Sequence, residues 1–323
     1  MILNSKISGL QFSVLVALST LAFVTIERET VSCFSMIISI VIAFLLLIPT
    51  FFISSKEKLE IPPVFQVIIA IFVTAMSVYI INGFSDFFVK HINPNSPQFI
   101  ISALLILALL YPATKGIEAI SRSAIITGAF VLLAIILIVA CVPYGDMANF
   151  ADNEKSAQPA EITDYILMFS PISLSFFFFR NFGTGKVKTV ALPFIIVSLI
   201  TGVVMCFVKL LNVSEYSHPF YTLSQVSFKL IPMGFSGLFI ALSITCVFFA
   251  LLYFTLIVKS IGKNNTKQMS TTFLVVVYFL SVITSYVKEI GDILLNRYFL
   301  LVLLLIVTLI VPIAVKVKEN RND

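Results

Sequence analysis

Apolar residues fall in about ten runs along the chain, separated by short polar connections. Each run is long enough to be read as a membrane crossing, since a helix needs roughly 20 apolar residues to traverse ~30 Å of hydrocarbon. The runs predict helices at about 9–26, 32–54, 64–89, 97–112, 117–142, 163–180, 188–210, 234–259, 270–287 and 295–316. The fourth is short, which suits a tilted or partly re-entrant segment. Pro112 and Gly116 separate it from the fifth, both being residues that end helices. One transmembrane domain over 1–323 is expected, with a first half at about 9–142 and a second at about 163–316.

Composition narrows the class. Hydrophobic residues make up 59% of the chain and charged residues 11%, with a mean hydropathy of +1.07. Little is left for a soluble domain, so the fold class is an all-α polytopic membrane protein. The net charge of +5 comes from basic residues scattered between the runs, with no continuous patch, which argues against nucleic acid as a partner. A cytoplasmic bias of Lys and Arg explains it better. With both termini placed inside, fourteen of the 21 Lys and Arg fall on the cytoplasmic side and seven on the other, which favours an even number of crossings. The first run follows Lys6 but lacks a small-x-small cleavage site, so it reads as an uncleaved first helix. Two outer connections are longer than the rest. That at 144–163 is acidic, and in that at 211–233 the stretch 220–230 reads as a short helix lying along the outer interface. His91 and His218 are both expected in outer connections, away from any buried proton relay.

Function in such a chain is sought where polar residues interrupt the apolar runs. In many transporter folds two corresponding helices unwind near the bilayer midplane, and the freed backbone groups hold the solute. Ser19 and Thr20 lie at the middle of the first run, and Ser170, Pro171 and Ser173 at the middle of the sixth. These two runs open the two five-helix halves, as an inverted repeat requires. Asn82 and Ser243 are candidate wall contacts for a small polar ligand at that point. Against this stands the simpler reading that Ser and Thr bond back to their own helix and that Pro171 is an ordinary kink. Glu118 and Arg122, four residues apart, share a helix face and suit either a boundary ion pair or an inner gate or partner contact. Cys33, Cys141, Cys206 and Cys246 show no metal-binding spacing, and no metal or cofactor is expected. Nucleophile elbow, phosphate loop and zinc-protease motifs are all missing, so no enzyme activity is expected.

Three blocks resemble the spore germination permeases, the B-type membrane subunits of nutrient germinant receptors. ISGLQFSVLVALST is similar to that family's I-S-x-x-Q opening. YPATKGIEAISRSAI is similar to its Tyr-x-x-x-x-Gly-x-Glu-x-x-x-Arg block. HPFYTLSQVSF is similar to its Tyr-Pro-x-x-x-Leu segment, with His218 in place of the Tyr. The matching positions are Gln11, Tyr111, Gly116, Glu118, Arg122, Pro219 and Leu223. The family's glycine at the middle of the first span has no counterpart between Leu18 and Val24. The resemblance implies a member of the amino acid/polyamine/organocation superfamily with about ten transmembrane helices in a LeuT-like 5+5 inverted repeat. It implies binding of a small polar nutrient such as an amino acid. It also implies a second membrane subunit and a lipoprotein as partners, surrounding membrane lipid, and a place in the inner membrane of the spore. An ion-coupled secondary amino acid transporter is the alternative of similar fold.

Overall fold

The computed structural model describes residues 6–26, 33–53, 61–141, 159–184, 189, 191–211, 218–226, 232–262 and 267–315. Most of the two long connections, at 142–158 and 212–217, therefore lies outside the described residues. Every predicted apolar run contains helix, with ends within a few residues of those expected. The helices are α1 (Gly9–Ile26), α2 (Cys33–Ile53), α3 (Pro63–His91), α4 (Gln98–Ala113) and α5 (Ile117–Ala140) in the first half. In the second half they are α6 (Pro159–Met168), α7 (Ser170–Phe182), α8 (Ala191–Leu210), α9 (Pro219–Val226), α10 (Pro232–Ile261), α11 (Lys267–Tyr286), α12 (Lys288–Leu294) and α13 (Arg297–Leu305). A π-helical turn at Ile306–Ile310 carries α13 on toward Val315. Seven of the described helical segments are long and apolar enough to cross a membrane, and two more apolar helices are shorter.

The centre of the bundle is α1 against α10. In their most apolar stretches 78% of α1 and 72% of α10 are buried, compared with 28% for α5. α5 therefore turns most of its apolar surface outward, as a lipid-facing helix does. Around α1 pack α5, α7 and α8, while α3 and α4 meet α10 and α11 on the other side. An aromatic cluster ties α1 to α7 and α10. The Phe12 ring lies 5.6 Å from Phe179 and 6.2 Å from both Phe182 and Tyr253.

The start of α1 is fixed locally. Ser8 N–H donates to Gln11 Oε1 at 3.0 Å, and Gln11 N–H donates to Ser8 Oγ at 3.2 Å. This reciprocal capping box supplies partners for donors the first helical turn leaves open. Just before it, β1 (Ile7–Ser8) pairs in parallel with β2 (Gly183–Thr184), which directly follows α7. Thr184 Oγ1 donates to Ile7 O at 3.1 Å and Ser13 Oγ to Thr189 O at 2.7 Å. Gly9 sits in this joint, where a Cβ would lie 2.6 Å from Thr189 Oγ1. The entry of α1 and the exit of α7 are thus clamped together at one end of the bundle. At the same end, Lys259 Nζ donates to Ala113 O at 2.8 Å, where the last carbonyls of α4 welcome a cation.

One expectation about the second long connection is corrected. α9 does not lie along an interface, because Phe220, Leu223 and Ser224 are fully or almost fully buried against α8 and α10. Its apolar side chains have neighbours on both sides, which a surface helix lacks.

Candidate functional site

The sixth apolar run is interrupted where the sequence points. α6 ends at Met168, Phe169 adopts φ −82° and ψ 2°, and α7 begins at Ser170. Pro171 lies in the first turn of α7, where its missing N–H is tolerated, but it has no hydrogen to offer the carbonyl four residues earlier. Phe169 O accepts from the N–H groups of Ile172 and Ser173, both at 3.1 Å, which starts the hydrogen bonding of α7. The hydroxyl of Ser173 also reaches Phe169 O, at 3.4 Å. From α10, the fully buried Tyr253 donates its hydroxyl to Pro171 O at 3.1 Å. Ser170 is fully buried and its Oγ has no hydrogen-bond partner among the described residues.

The first run behaves differently. α1 is one unbroken helix through Ser19 and Thr20. Ser19 Oγ donates to Leu15 O at 2.8 Å, with Phe249 O of α10 at 3.4 Å, and Thr20 Oγ1 donates to Val16 O at 2.9 Å. Without Gly or Pro nothing in this stretch opens the helix, and both hydroxyls return to their own backbone. α1 nevertheless packs directly against α7, so the unbroken first run and the interrupted sixth run are neighbours.

A polar cavity of about 760 Å³ opens at the end of the bundle opposite the β1–β2 clamp. Ile26 at the close of α1, Asn82 and Asp86 of α3, and Asp164 of α6 face it, together with residues of α4 and α11–α13. Its wall holds both signs of charge, with Asp86, Asp164 and Asp292 facing Lys288 and Arg297. Arg297 Nη1 bonds Asp164 Oδ2 at 2.8 Å, tying α13 to α6. Lys90 pairs with Asp86 at 2.9 Å. Asn82 is held by α11: its amide donates to Thr284 Oγ1 at 2.8 Å, and Ser281 Oγ donates to its Oδ1 at 2.5 Å. Ser281 extends the network to Ser102 of α4 at 3.5 Å, and Ser102 meets Ser85 at 2.9 Å. Gly291 is required beside this wall, because a Cβ there would stand 2.6 Å from Thr284 O.

The predicted site residues thus separate. Asn82 lines the cavity, while Ser170, Pro171 and Ser173 form the interruption deeper along the same α6–α7 axis. Ser243 is fully buried and donates to Phe239 O at 3.0 Å within α10, outside the cavity wall. Glu118 and Arg122 bond each other on the exposed first turns of α5. Asp164, Thr284, Ser285 and Arg297 were not singled out from the sequence. Ser281, Thr284 and Ser285, at spacings of three and four, do mark one polar face on α11. The Asp164–Arg297 pair, 133 positions apart, leaves no local signal.

No family model matches the chain, and neither does any curated protein sequence. Among solved structures it is similar to a Na⁺-coupled sialic acid symporter in a substrate-bound, outward-open state. The TM-score is 0.57 and the identity 13%, over 94% of this chain and 79% of the other. At that identity the likeness establishes the fold alone: a multi-pass helical bundle of the kind that symporter has.

Proposed function

We propose that this chain is a secondary transporter for a small charged polar solute, with amino acids the leading class. The observation that carries the reading is the mixed-charge cavity of about 760 Å³, which Asp164 of α6 lines, in a fold shared with a symporter. A zwitterion finds a carboxylate partner in Lys288 or Arg297 and an ammonium partner in Asp86 or Asp292. Deeper in, Ser170 Oγ and the Leu167 carbonyl, to which Pro171 has no N–H to donate, would supply neutral polar groups for the same solute. The reading includes ten crossings in two inverted five-helix halves, with both termini in the cytoplasm and the cavity facing outward. The protein would sit in the cell membrane, and no cofactor is called for.

A second reading keeps the same pocket but ends in signalling. The ISGLQ, YPATKGIEAISR and HPFYTL blocks favour a germinant-receptor permease subunit working beside a second membrane subunit and a lipoprotein. In that reading Glu118 and Arg122 form the docking contact. Uptake decides between the two. The purified chain in proteoliposomes should accumulate at least one labelled amino acid under a Na⁺ or proton gradient. Solute-induced thermal stabilisation without any uptake would favour the receptor. Neither stabilisation nor uptake with amino acids, sugar acids or nucleosides would overturn the solute-binding premise that both readings share.

A further inference from the structure

The chain contains two histidines, and they touch. His91 Nε2 and His218 Nδ1 are 2.9 Å apart although the residues are separated by 127 positions. The rings stand nearly perpendicular, at 87°, with centroids 4.8 Å apart. His91 is the last residue of α3 and His218 immediately precedes α9. Both were expected in outer connections, yet His218 is only 1% exposed. It is also the one non-glycine among the described residues with a positive φ, at 61°. Such a conformation is uncommon for a side chain of this size. It is held from the other side by Thr222, whose N–H and hydroxyl donate to His218 O at 3.1 and 3.3 Å.

The surroundings are aromatic. The Phe87 ring lies 5.2 Å from His218 and 5.4 Å from His91, Tyr221 of α9 lies 4.9 Å from His91, and Phe239 of α10 closes the box 5.9 Å from Phe87. The charged groups acting on His91 are Lys90 and Asp86 of α3, which are paired with each other. From α9 the titratable neighbour is Tyr221, and α10 presents the uncharged Phe239. Glu215 lies outside the described residues.

We propose that His91 and His218 form a proton-operated latch that fastens the end of α3 to α9. The chemistry follows from the short N···N bond. Between two neutral rings one nitrogen donates and the other accepts. After one proton is added, an imidazolium still donates to a neutral partner, through a charge-assisted bond. After a second proton no acceptor remains, and two like charges face each other inside an aromatic enclosure. The bond then opens, and α9 loses its hydrogen-bonded tie to α3, leaving the Phe87–Tyr221 ring contact and its packing on α8 and α10. The latch lies at the same end of the bundle as the polar cavity, and Asp86 faces both. Acid thus acts on the packing of α9 against the helix whose Asp86 lines the cavity, whatever solute the chain carries.

The chain has no tryptophan, so Phe220→Trp on α9 places a single reporter 2% exposed beside Phe239. With the full chain in detergent or nanodiscs, lowering the pH from ~8 to ~5, across the ordinary imidazole range, should shift its emission reversibly to longer wavelength. The shift should vanish when His91→Gln and His218→Gln are added. ¹⁵N spectra of the otherwise unaltered protein give a second readout, because only two rings contribute. At high pH they should show a coupling across the ring-to-ring hydrogen bond, lost once both rings are doubly protonated. An emission shift that persists without the histidines, or two rings titrating with no mutual hydrogen bond at any pH, overturns the latch.

Discussion

The interruption between α6 and α7 makes opposite predictions for two buried hydroxyls. Tyr253→Phe removes one oxygen and leaves the ring in place beside Phe12 and Phe254, so no cavity larger than that atom forms. The change deletes a fully buried hydrogen bond to Pro171 O, which lies one residue into α7 and keeps access to its own helical partner. A buried neutral hydrogen bond contributes about 0.5–1.5 kcal/mol net, so a loss of about 1 kcal/mol is expected. Since 1 kcal/mol moves Tm by roughly 2–4 °C in domains of 150–250 residues, the purified variant should melt a few degrees lower. Ser170→Ala should do the reverse. Its Oγ is buried without a partner among the described residues, and such a desolvated group is unfavourable by about 1–3 kcal/mol when nothing compensates it. The alanine variant should therefore melt at or above the parent temperature in the absence of solute. With solute present the order should invert, because losing one hydrogen bond worth about 1.4 kcal/mol weakens binding about tenfold. Thermal melting with and without a stabilising amino acid measures both arms. Ser170→Ala melting clearly lower in the absence of solute, or Tyr253→Phe indistinguishable from the parent, would refute the reasoning.

Other substitutions follow from the same contacts. Gln11→Ala leaves half a capping box at the entry of α1 and should lower stability by about 0.5–1 kcal/mol in a melting assay. Gly9→Val drives a branched side chain into Thr189 and should cost about 1–3 kcal/mol by overpacking, seen as a lower Tm and faster proteolysis at that end. Asp164→Asn breaks the tie between α6 and α13 in a partly exposed pair, with a stability loss of about 1 kcal/mol or less that shrinks with added salt. Arg122→Ala removes an exposed pair on α5 and should change Tm by the equivalent of less than about 0.5 kcal/mol. A normal Tm together with lost co-purification of a membrane partner would mark that pair as a docking contact.

The helices were legible in the sequence because apolar length and charge placement dictate them. The first run, expected at about 9–26, is the helix Gly9–Ile26, and Ser170–Pro171 marks the interruption of the sixth run because proline deprives a carbonyl of its helical donor whatever surrounds it. The expected counterpart in α1 failed for an equally local reason. Ser19 and Thr20 satisfy themselves on Leu15 O and Val16 O, and no glycine or proline opposes them. The sequence blocks also acquire physical meaning. I-S-x-x-Q is the capping box of α1, Gly-x-Glu-x-x-x-Arg is the start of α5 with an ion pair one turn on, and His-Pro is the left-handed turn into α9. Pairings across the bundle left no such trace. Arg297 reaches Asp164, and His91 reaches His218, only because α13 meets α6 and α9 folds inward, and both depend on packing angles that spacing does not encode.

If the proposed transport reading holds, the asymmetry between α1 and α6–α7 constrains which solutes are selected. In a repeat whose two leading helices both unwind, freed carbonyls from each are available to a cation, and backbone geometry carries much of the discrimination. Here the interior carbonyls of α1 are engaged in an unbroken helix, so between these two runs only the α6–α7 side offers a carbonyl, that of Leu167, that proline leaves without its helical donor. Discrimination then falls to side chains, and the charged ones lie in the cavity wall: Asp86, Asp164, Asp292, Lys288 and Arg297. Asp86 and Asp164 are already paired with Lys90 and Arg297, so a charged solute group bound there would have to share or displace an ion pair, and a solute lacking that charge gains nothing to offset the exchange. For the proposed transporter, one intact helix and one broken one therefore predict a solute set narrow in charge pattern and broad in side-chain size, which competition of labelled uptake by a panel of amino acids measures.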